Sequence, residues 1–161
     1  MSHARMSPVR LLAIVPLVLA LAATMFAGYT LSPAAPRAHA ALISKAKAEN
    51  AVDWARSRKG SPYRYGADGP HRFDCSGLTR WVFAHVGRSL PHSSSAQVDK
   101  TSRISRDNRR RGDLVFFYSR SGVYHVAVYA GHGYIWHAPQ AGERVHREHI
   151  WTSNVFYGRV K

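Results

Sequence analysis

Residues 73–86 read FDCSGLTRWVFAHV, a stretch that combines the start of an amphipathic helix with the only cysteine of the chain. Asp74 is a favoured N-cap residue, and the apolar residues that follow recur every three to four positions. The pattern predicts a helix from Cys75 to Val86 with the sulfur in its first turn. A single cysteine cannot form an internal disulfide, so we expect Cys75 to be retained for its chemistry.

The segments on either side of this helix define the fold class. Residues 42–58 predict another helix, which Gly60 and Pro62 end, and a short helical turn is expected at 94–100. Short apolar runs then follow at hairpin spacing and predict strands at 113–118, 125–130, 133–137, 143–148 and 155–160. Helices followed by strands predict an α+β domain with its N-terminal helices packed on an antiparallel sheet.

The first forty residues have the layout of a secretory signal. Arg5 and Arg10 precede an apolar run over 11–27, and Ala38-His39-Ala40 matches the small-x-small cleavage pattern. We therefore expect residues 1–40 to be a signal peptide cleaved after Ala40, with an uncleaved N-terminal anchor as the alternative. Residues 41–161 would then form one domain that is secreted or associated with the cell wall.

The domain expected after cleavage is strongly basic. Residues 1–40 hold 3 of the 23 Lys and Arg and none of the 9 Asp and Glu, which leaves 20 − 9 = +11 for residues 41–161. Such a charge favours a polyanionic partner. Export argues against nucleic acid, so an anionic cell-wall polymer is the expected partner. A surface that serves only solubility is the alternative.

The surroundings of Cys75 predict a nucleophile. A thiol attacks as the thiolate, and the free N–H groups and dipole of a helix N-terminus are expected to lower the pKa of Cys75. A cysteine nucleophile also needs a base and a group that orients the base. His125 and His137 lie on neighbouring strands of a predicted hairpin, which could place their imidazoles side by side.

Several ordered motifs resemble the NlpC-type cell-wall peptidases, which are papain-like cysteine endopeptidases of peptidoglycan. The resemblance covers about residues 45–150 and rests on GSPYRYG at 60–66, FDCSGL at 73–78, Leu90-Pro91, Gln97, GDLVFF at 112–117, HVAVYAG at 125–131 and HAP at 137–139. A lone DCSG would be a weak signal, but the full series in order is a strong one.

The resemblance implies a role for each matching residue. Cys75 would be the nucleophile, His125 the base and His137 the group that orients the base. Tyr63 would lie near the cysteine, and Asp74 and Ser76 would help to line the substrate cleft. The implied reaction is hydrolysis of a stem-peptide amide, typically between γ-D-glutamate and a diamino acid, through a thioester. No cofactor is implied, and the enzyme is expected to act as a monomer.

Two other functions and a metal site remain as alternatives. A related amidase would cut between muramic acid and L-alanine with the same chemistry, and a catalytically silent protein would only bind the wall. The remaining histidines are most simply surface or core residues, and Trp136 is core or borders the cleft. The sequence contains no HExxH or similar spacing, so no metal site is expected.

Overall fold

A computed structural model describes residues 41–161, in which three helices are followed by six strands. The predicted signal peptide and its alternative, an N-terminal anchor, lie outside the described residues. Within 41–161, none of the helices has both the length and the apolar character that crossing a bilayer requires. The elements are α1 (Lys45–Ser57), α2 (Cys75–Ala84), α3 (Ser94–Val98), β1 (Thr101–Ile104), a 3-10 turn (Arg106–Asn108), β2 (Leu114–Ser119), β3 (Gly122–Gly131), β4 (Tyr134–His137), β5 (His146–His149) and β6 (Val155–Val160).

The three helices begin where the sequence supplies N-cap side chains. Ser44 accepts a hydrogen bond from the N–H of Lys47 at the start of α1, and Ser93 accepts one from Ala96 at the start of α3. One face of α1 is buried, as the periodicity predicts, and it consists of Ala48, Ala51, Val52 and Ala55. Both long helices and the short helical turn are therefore found within a few residues of their expected bounds.

All six strands form one antiparallel sheet in the order β1-β6-β2-β3-β4-β5. The five predicted strands are present, although β3 begins three residues earlier than expected. Strand β1 was not predicted, because Thr-Ser-Arg-Ile at 101–104 carries little apolar alternation. It extends the sheet by pairing with β6, and Thr101 lies opposite Val160.

The sheet has a large core on the helix side and a smaller apolar cluster on the other side. The helices pack on the face that carries Leu114, Phe116, Val126 and Val128. The opposite face carries Val115, Phe117, Ala127, Tyr129, Ile135 and Tyr157. The α+β class and the helix-on-sheet packing predicted from the sequence are thus confirmed, and α2 lies against β3.

Candidate active site

Cys75 is the first residue of α2, and Asp74 is the N-cap that fixes its position. The carboxylate of Asp74 accepts a hydrogen bond of 2.7 Å from the N–H of Gly77 and one of 2.8 Å from the N–H of Gly66. These bonds join the helix start to the preceding loop. Because Cys75 and Ser76 lie in the first turn of the helix, their N–H groups have no backbone acceptor in the described part of the chain.

Gln97 holds the same helix end from the side of α3. Its fully buried amide nitrogen donates to the backbone oxygens of Ser76, at 2.9 Å, and Pro91, at 2.8 Å. Its amide oxygen accepts a 2.7 Å hydrogen bond from the hydroxyl of Thr79. This buried network restrains the first turn of α2, and therefore the thiol, against a second element.

Gly77 allows the first turn of α2 to pack directly on a neighbouring backbone segment. A Cβ atom built at this position would lie 2.1 Å from the carbonyl oxygen of Ala67 and 2.8 Å from the Cα of Asp68. Since both atoms belong to the backbone, no side-chain movement can relieve the contact. The glycine of the DCSG motif is thus required for packing.

We expect Gly77→Ala to destabilise the domain by about 1–3 kcal/mol, because the new methyl group overpacks a backbone contact. Thermal unfolding followed by circular dichroism measures the effect. Gly142→Ala is the control, since its Cβ would have no atom within 4 Å although φ is +89° there, so it isolates backbone strain. An unfolding temperature for Gly77→Ala equal to that of the wild type would contradict the overpacking explanation.

The structure brings His125 and His137 together, as the hairpin spacing suggested. His125 lies on β3 and His137 ends β4, two strands paired so that Val128 is opposite Trp136. The Nε2 atom of His125 lies 3.0 Å from Nδ1 of His137, in a hydrogen bond between two buried rings. With Nε2 engaged in this way, Nδ1 of His125 is the nitrogen left to exchange a proton with a nucleophile.

Burial keeps both imidazoles neutral at physiological pH. Desolvation lowers the pKa of His125 from 6.5 to about 4. Desolvation, together with the nearby His125 and His146, lowers the pKa of His137 to about 3. A neutral His125 has a free lone pair and is a competent general base at pH 7.

The pKa of Cys75 differs in direction from the sequence-based expectation. Burial raises the pKa of the thiol, and the charge of Asp74 adds to this effect. The backbone N–H groups of Val126 on β3 and of Ser76 and Cys75 at the start of α2 lower the pKa, but they do not offset the desolvation. The expected lowering was therefore wrong, because the periodicity gave no measure of how deeply the sulfur is buried. Burial therefore favours the neutral form of both the Cys75 thiol and the His125 imidazole.

We expect the alkylation of Cys75 by iodoacetamide to rise with pH with a midpoint above that of a free cysteine, about 8.5. The reason is that only the thiolate reacts, and burial raises the pKa of Cys75. Cys75 is the only thiol of the chain, so mass spectrometry of the labelled protein reports on one site. N-acetylcysteine under the same conditions is the reference, and a midpoint below the reference would show an activated thiolate instead.

Two surface hollows meet beside these residues and share Tyr124. The first, of about 360 Å³, is lined by Cys75 and includes Tyr63, Asp74, Ser76 and His92 in its wall. The second, of about 470 Å³, is lined by His125, His137, Gln140, Glu148 and Trp151, among others. Together they form a candidate groove with the thiol on one side of Tyr124 and the imidazoles on the other.

The three residues expected to line the cleft lie in the wall of the thiol-side hollow. The Tyr63 hydroxyl lies close enough to the thiol that Cys75 contributes, after burial, to raising the pKa of Tyr63. Asp74 is buried and its oxygens are engaged by groups of the domain itself. Trp136 does not border the groove, because it points into the helix-side core opposite Val128.

No hydrogen bond joins the sulfur of Cys75 to the ring of His125 among the residues that the structure describes. The backbone N–H of Val126, the residue after His125, contributes to lowering the pKa of the thiol. Catalytic hydrogen bonds are often loose in the absence of substrate and tighten when it binds.

Four residues of this site were not singled out from the sequence. Nε2 of His92 donates a hydrogen bond of 2.8 Å to the Asp74 carboxylate, and Glu148 lies 2.9 Å from His137. Tyr124 is the extra residue of a β-bulge, since Phe117 pairs with His125 while the next residue of β2 pairs with Val123. Trp151 stacks on Phe117. Only Glu148 left a sequence signal, since it alternates with His146 on a predicted strand.

Comparison with known proteins identifies the family of this domain. A sequence model of the NlpC/P60 family matches residues 60–160. A probable endopeptidase of Corynebacterium glutamicum is 45% identical over 139 residues, which cover 81% of this chain and 65% of that protein. The bifunctional muramidase/DL-endopeptidase CwlT of Bacillus subtilis is 34% identical over 120 residues, which cover 70% of this chain and 36% of that protein.

A solved structure supports the same relationship at the level of the domain. The NlpC/p60 domain of the peptidoglycan hydrolase SagA superposes with a TM-score of 0.64 at 35% identity, over 71% of this chain and 98% of that one. The chain thus spans less than two thirds of both curated relatives but nearly the whole of the solved domain. The matched family region, the relatives and the shared fold together show that this chain belongs to the NlpC/P60 family.

Proposed function

We propose that the protein is a cysteine endopeptidase that cuts the stem peptides of peptidoglycan, at the bond between γ-D-glutamate and a diamino acid. The observation that carries the proposal is a thiol at a helix N-terminus that shares a groove with two hydrogen-bonded histidines. Family membership supports the substrate class, and the word DL-endopeptidase in the name of CwlT supports the choice of bond.

The reaction begins when the sulfur of Cys75 attacks the amide carbonyl carbon and its proton passes to Nδ1 of His125. Because thiol and imidazole are both neutral at rest, this proton transfer accompanies the attack. The Nε2–H of the resulting imidazolium donates to Nδ1 of His137, which holds the ring in the required tautomer. His137 is thus a positioning residue.

The start of α2 supplies donors for the negative charge that develops on the carbonyl oxygen. The N–H groups of Cys75 and Ser76 have no backbone acceptor, so they are available to the oxyanion. Collapse of the tetrahedral intermediate breaks the C–N bond, and His125 returns its proton to the leaving amine. Water then attacks the thioester, with its proton passing to His125, and releases the carboxylic acid and the Cys75 thiol.

The thiol-side hollow is the proposed binding region for the acyl part of the stem peptide. Tyr63 and Ser76 line it with hydroxyl groups, and the Asp74 carboxylate accepts a hydrogen bond from the hydroxyl of Ser76. The largely exposed Tyr65 stands at its rim and offers an apolar ring to the peptide. The preferred diamino acid would be selected on the other side of Tyr124.

Incubation of the purified protein with defined muropeptides, followed by mass spectrometry, tests the proposed bond. Products cut after γ-D-glutamate would support the endopeptidase. Release of an intact stem peptide from the glycan would identify an amidase with the same chemistry. If a folded protein with a reduced thiol gives no product, the proposed activity is overturned and the alternative of a protein that only binds the wall is favoured.

The proposed location is outside the cytoplasm, secreted or held at the cell wall, after cleavage of residues 1–40. A monomer with a net charge of +11 over residues 41–161 could associate with anionic wall polymers. Arg103, Arg106 and Arg109 line a hollow of about 900 Å³ whose lining does not include Cys75. Part of the positive charge of the domain is therefore concentrated at this hollow. Attachment through charge is screened by salt, so retention on isolated walls should fall as ionic strength rises.

A further inference from the structure

Two histidines and a glutamate converge at the end of β4 and β5, on the sheet face away from the helices. His137 pairs directly with His146 across the two strands, and Glu148 is two residues further along β5. Since alternate residues of a strand point to the same side, all three side chains share one face. The ring nitrogens and the carboxylate oxygen lie within 4.8 Å of one another.

The contact between His137 and Glu148 is close but lacks the direction of a hydrogen bond. Nε2 of His137 lies 2.9 Å from Oε2 of Glu148, yet this nitrogen is fully buried and has no hydrogen-bond partner. A buried nitrogen without a hydrogen-bond partner, next to a carboxylate oxygen, is a candidate ligand pair for a cation. Ligands about 2.0–2.1 Å from a tetrahedral zinc ion lie roughly 3.3 Å apart. The distances from Glu148 to His137, 2.9 Å, and to His146, 3.5 Å, are close to this value.

His146 is held in the tautomer that a metal ligand requires. Its Nδ1 lies 2.8 Å from the carbonyl oxygen of Arg144, which can only accept, so Nδ1 carries the proton of the neutral ring. Nε2 therefore presents a lone pair, and it faces the Glu148 carboxylate at 3.5 Å. A lone pair and a carboxylate oxygen in this position favour a shared cation, and a backbone acceptor on the other nitrogen is typical of histidines that bind metals.

We propose that His137, His146 and Glu148 form a zinc-binding site that inhibits the enzyme. Two imidazole nitrogens and one carboxylate oxygen are a donor set that zinc accepts, with a water molecule as the fourth ligand. Two of the nine acidic residues, Glu143 and Glu148, border the adjoining hollow of this basic domain, which favours a cation locally. Glu148 and His146 are partly exposed, so an ion can reach the site from solvent.

Inhibition follows from the tautomers of the histidine pair, and this step rests on the proposed function. Catalysis needs His125 with a bare Nδ1 and a proton on Nε2 that it donates to His137. Zinc on Nε2 of His137 moves that ring's proton to Nδ1, which then donates to Nε2 of His125. The proton of His125 must then sit on Nδ1, so His125 has no lone pair to receive the proton of the thiol.

The binding experiment titrates zinc into the purified Cys75→Ala variant in competition with a chromophoric chelator, so that the thiol cannot serve as a ligand. We expect one zinc ion per chain, and a fall in affinity of at least about ten-fold when His146→Gln is added. His149→Gln is the matched control, because His149 lies on the same strand outside the cluster. No binding, or equal affinity in the His146→Gln and His149→Gln variants, would overturn the site.

The activity experiment uses the wild-type thiol and asks whether the site is inhibitory. Zinc should reduce muropeptide cleavage by the wild type and by His149→Gln, with the activity restored by a chelator. The His146→Gln variant should keep its activity at the same zinc concentration, since His146 takes no part in the proposed reaction. Equal inhibition of all three would overturn the inhibitory role. If no cleavage is found at all, the proposed function fails, while the chelator titration still decides the metal site.

Discussion

Replacing Cys75 with alanine is expected to abolish muropeptide cleavage, with a loss in kcat of at least about 10⁴-fold. The sulfur is the nucleophile that attacks the amide in the proposed reaction, and the N–H groups at the start of α2 stabilise an oxyanion only after the sulfur has attacked. Binding of the substrate should persist, because the walls of the hollow do not depend on the sulfur atom. Mass spectrometry of the products, with single-turnover rates for the residual activity, measures the loss.

The alanine variant is a clean substitution because it should leave the fold intact. Alanine is a good helix former, and the Asp74 cap bonds the N–H of Gly77 and not the thiol. Its unfolding temperature should therefore match that of the wild type. A folded Cys75→Ala protein that still cuts after γ-D-glutamate would exclude Cys75 as the nucleophile and place the chemistry elsewhere in the groove.

The sequence predicted the parts of the site that local rules determine. The Asp74 cap and the apolar period place the start of α2, and therefore the sulfur, at the residue where the structure has it. The pairing of His125 with His137 follows from two strands joined by a tight turn, since a spacing of twelve residues puts both near one end of the hairpin. These features depend on the spacing of residues along the chain, which can be read directly from the sequence.

The features that the sequence did not predict depend on contacts between distant segments. His92 reaches Asp74 from a loop eighteen residues away, and Glu148 reaches His137 only through the register of β5. The bulge at Tyr124 shifts the register by one residue, and no turn or glycine signal marks it. The direction of the Cys75 pKa belongs to this group as well, because burial is a property of the packed domain.

The neutral resting pair changes how the site must work. A preformed thiolate would be stabilised by an imidazolium, but the buried His125 binds a proton only near pH 4. In the proposed reaction the thiol loses its proton while it attacks, so the rate would depend on how well His125 is oriented at that moment. This requirement explains why the structure surrounds the histidine with Phe117, Trp151 and His137, which restrict the ring without supplying charge.

Replacing His125 with glutamine is expected to lower kcat/KM by at least about 10³-fold, because the variant lacks the base that takes the proton from Cys75 in the proposed reaction. In the wild type, the acid limb of the kcat/KM profile should lie near pH 4 and not near 6.5. The sign follows from burial: the lowered pKa leaves His125 unprotonated, and so active, until the pH falls to that value.

His132→Asn is the control, since His132 is exposed in the β3–β4 turn with φ of 53°, which asparagine tolerates. Because unfolded histidine binds a proton near pH 6.5, folding stability also falls as the pH drops from 6.5 towards 4, so unfolding must be followed in parallel. A profile with its acid limb near 6.5 in a folded enzyme, or a His125→Gln variant as active as His132→Asn, would show that His125 is not the buried base of this reaction.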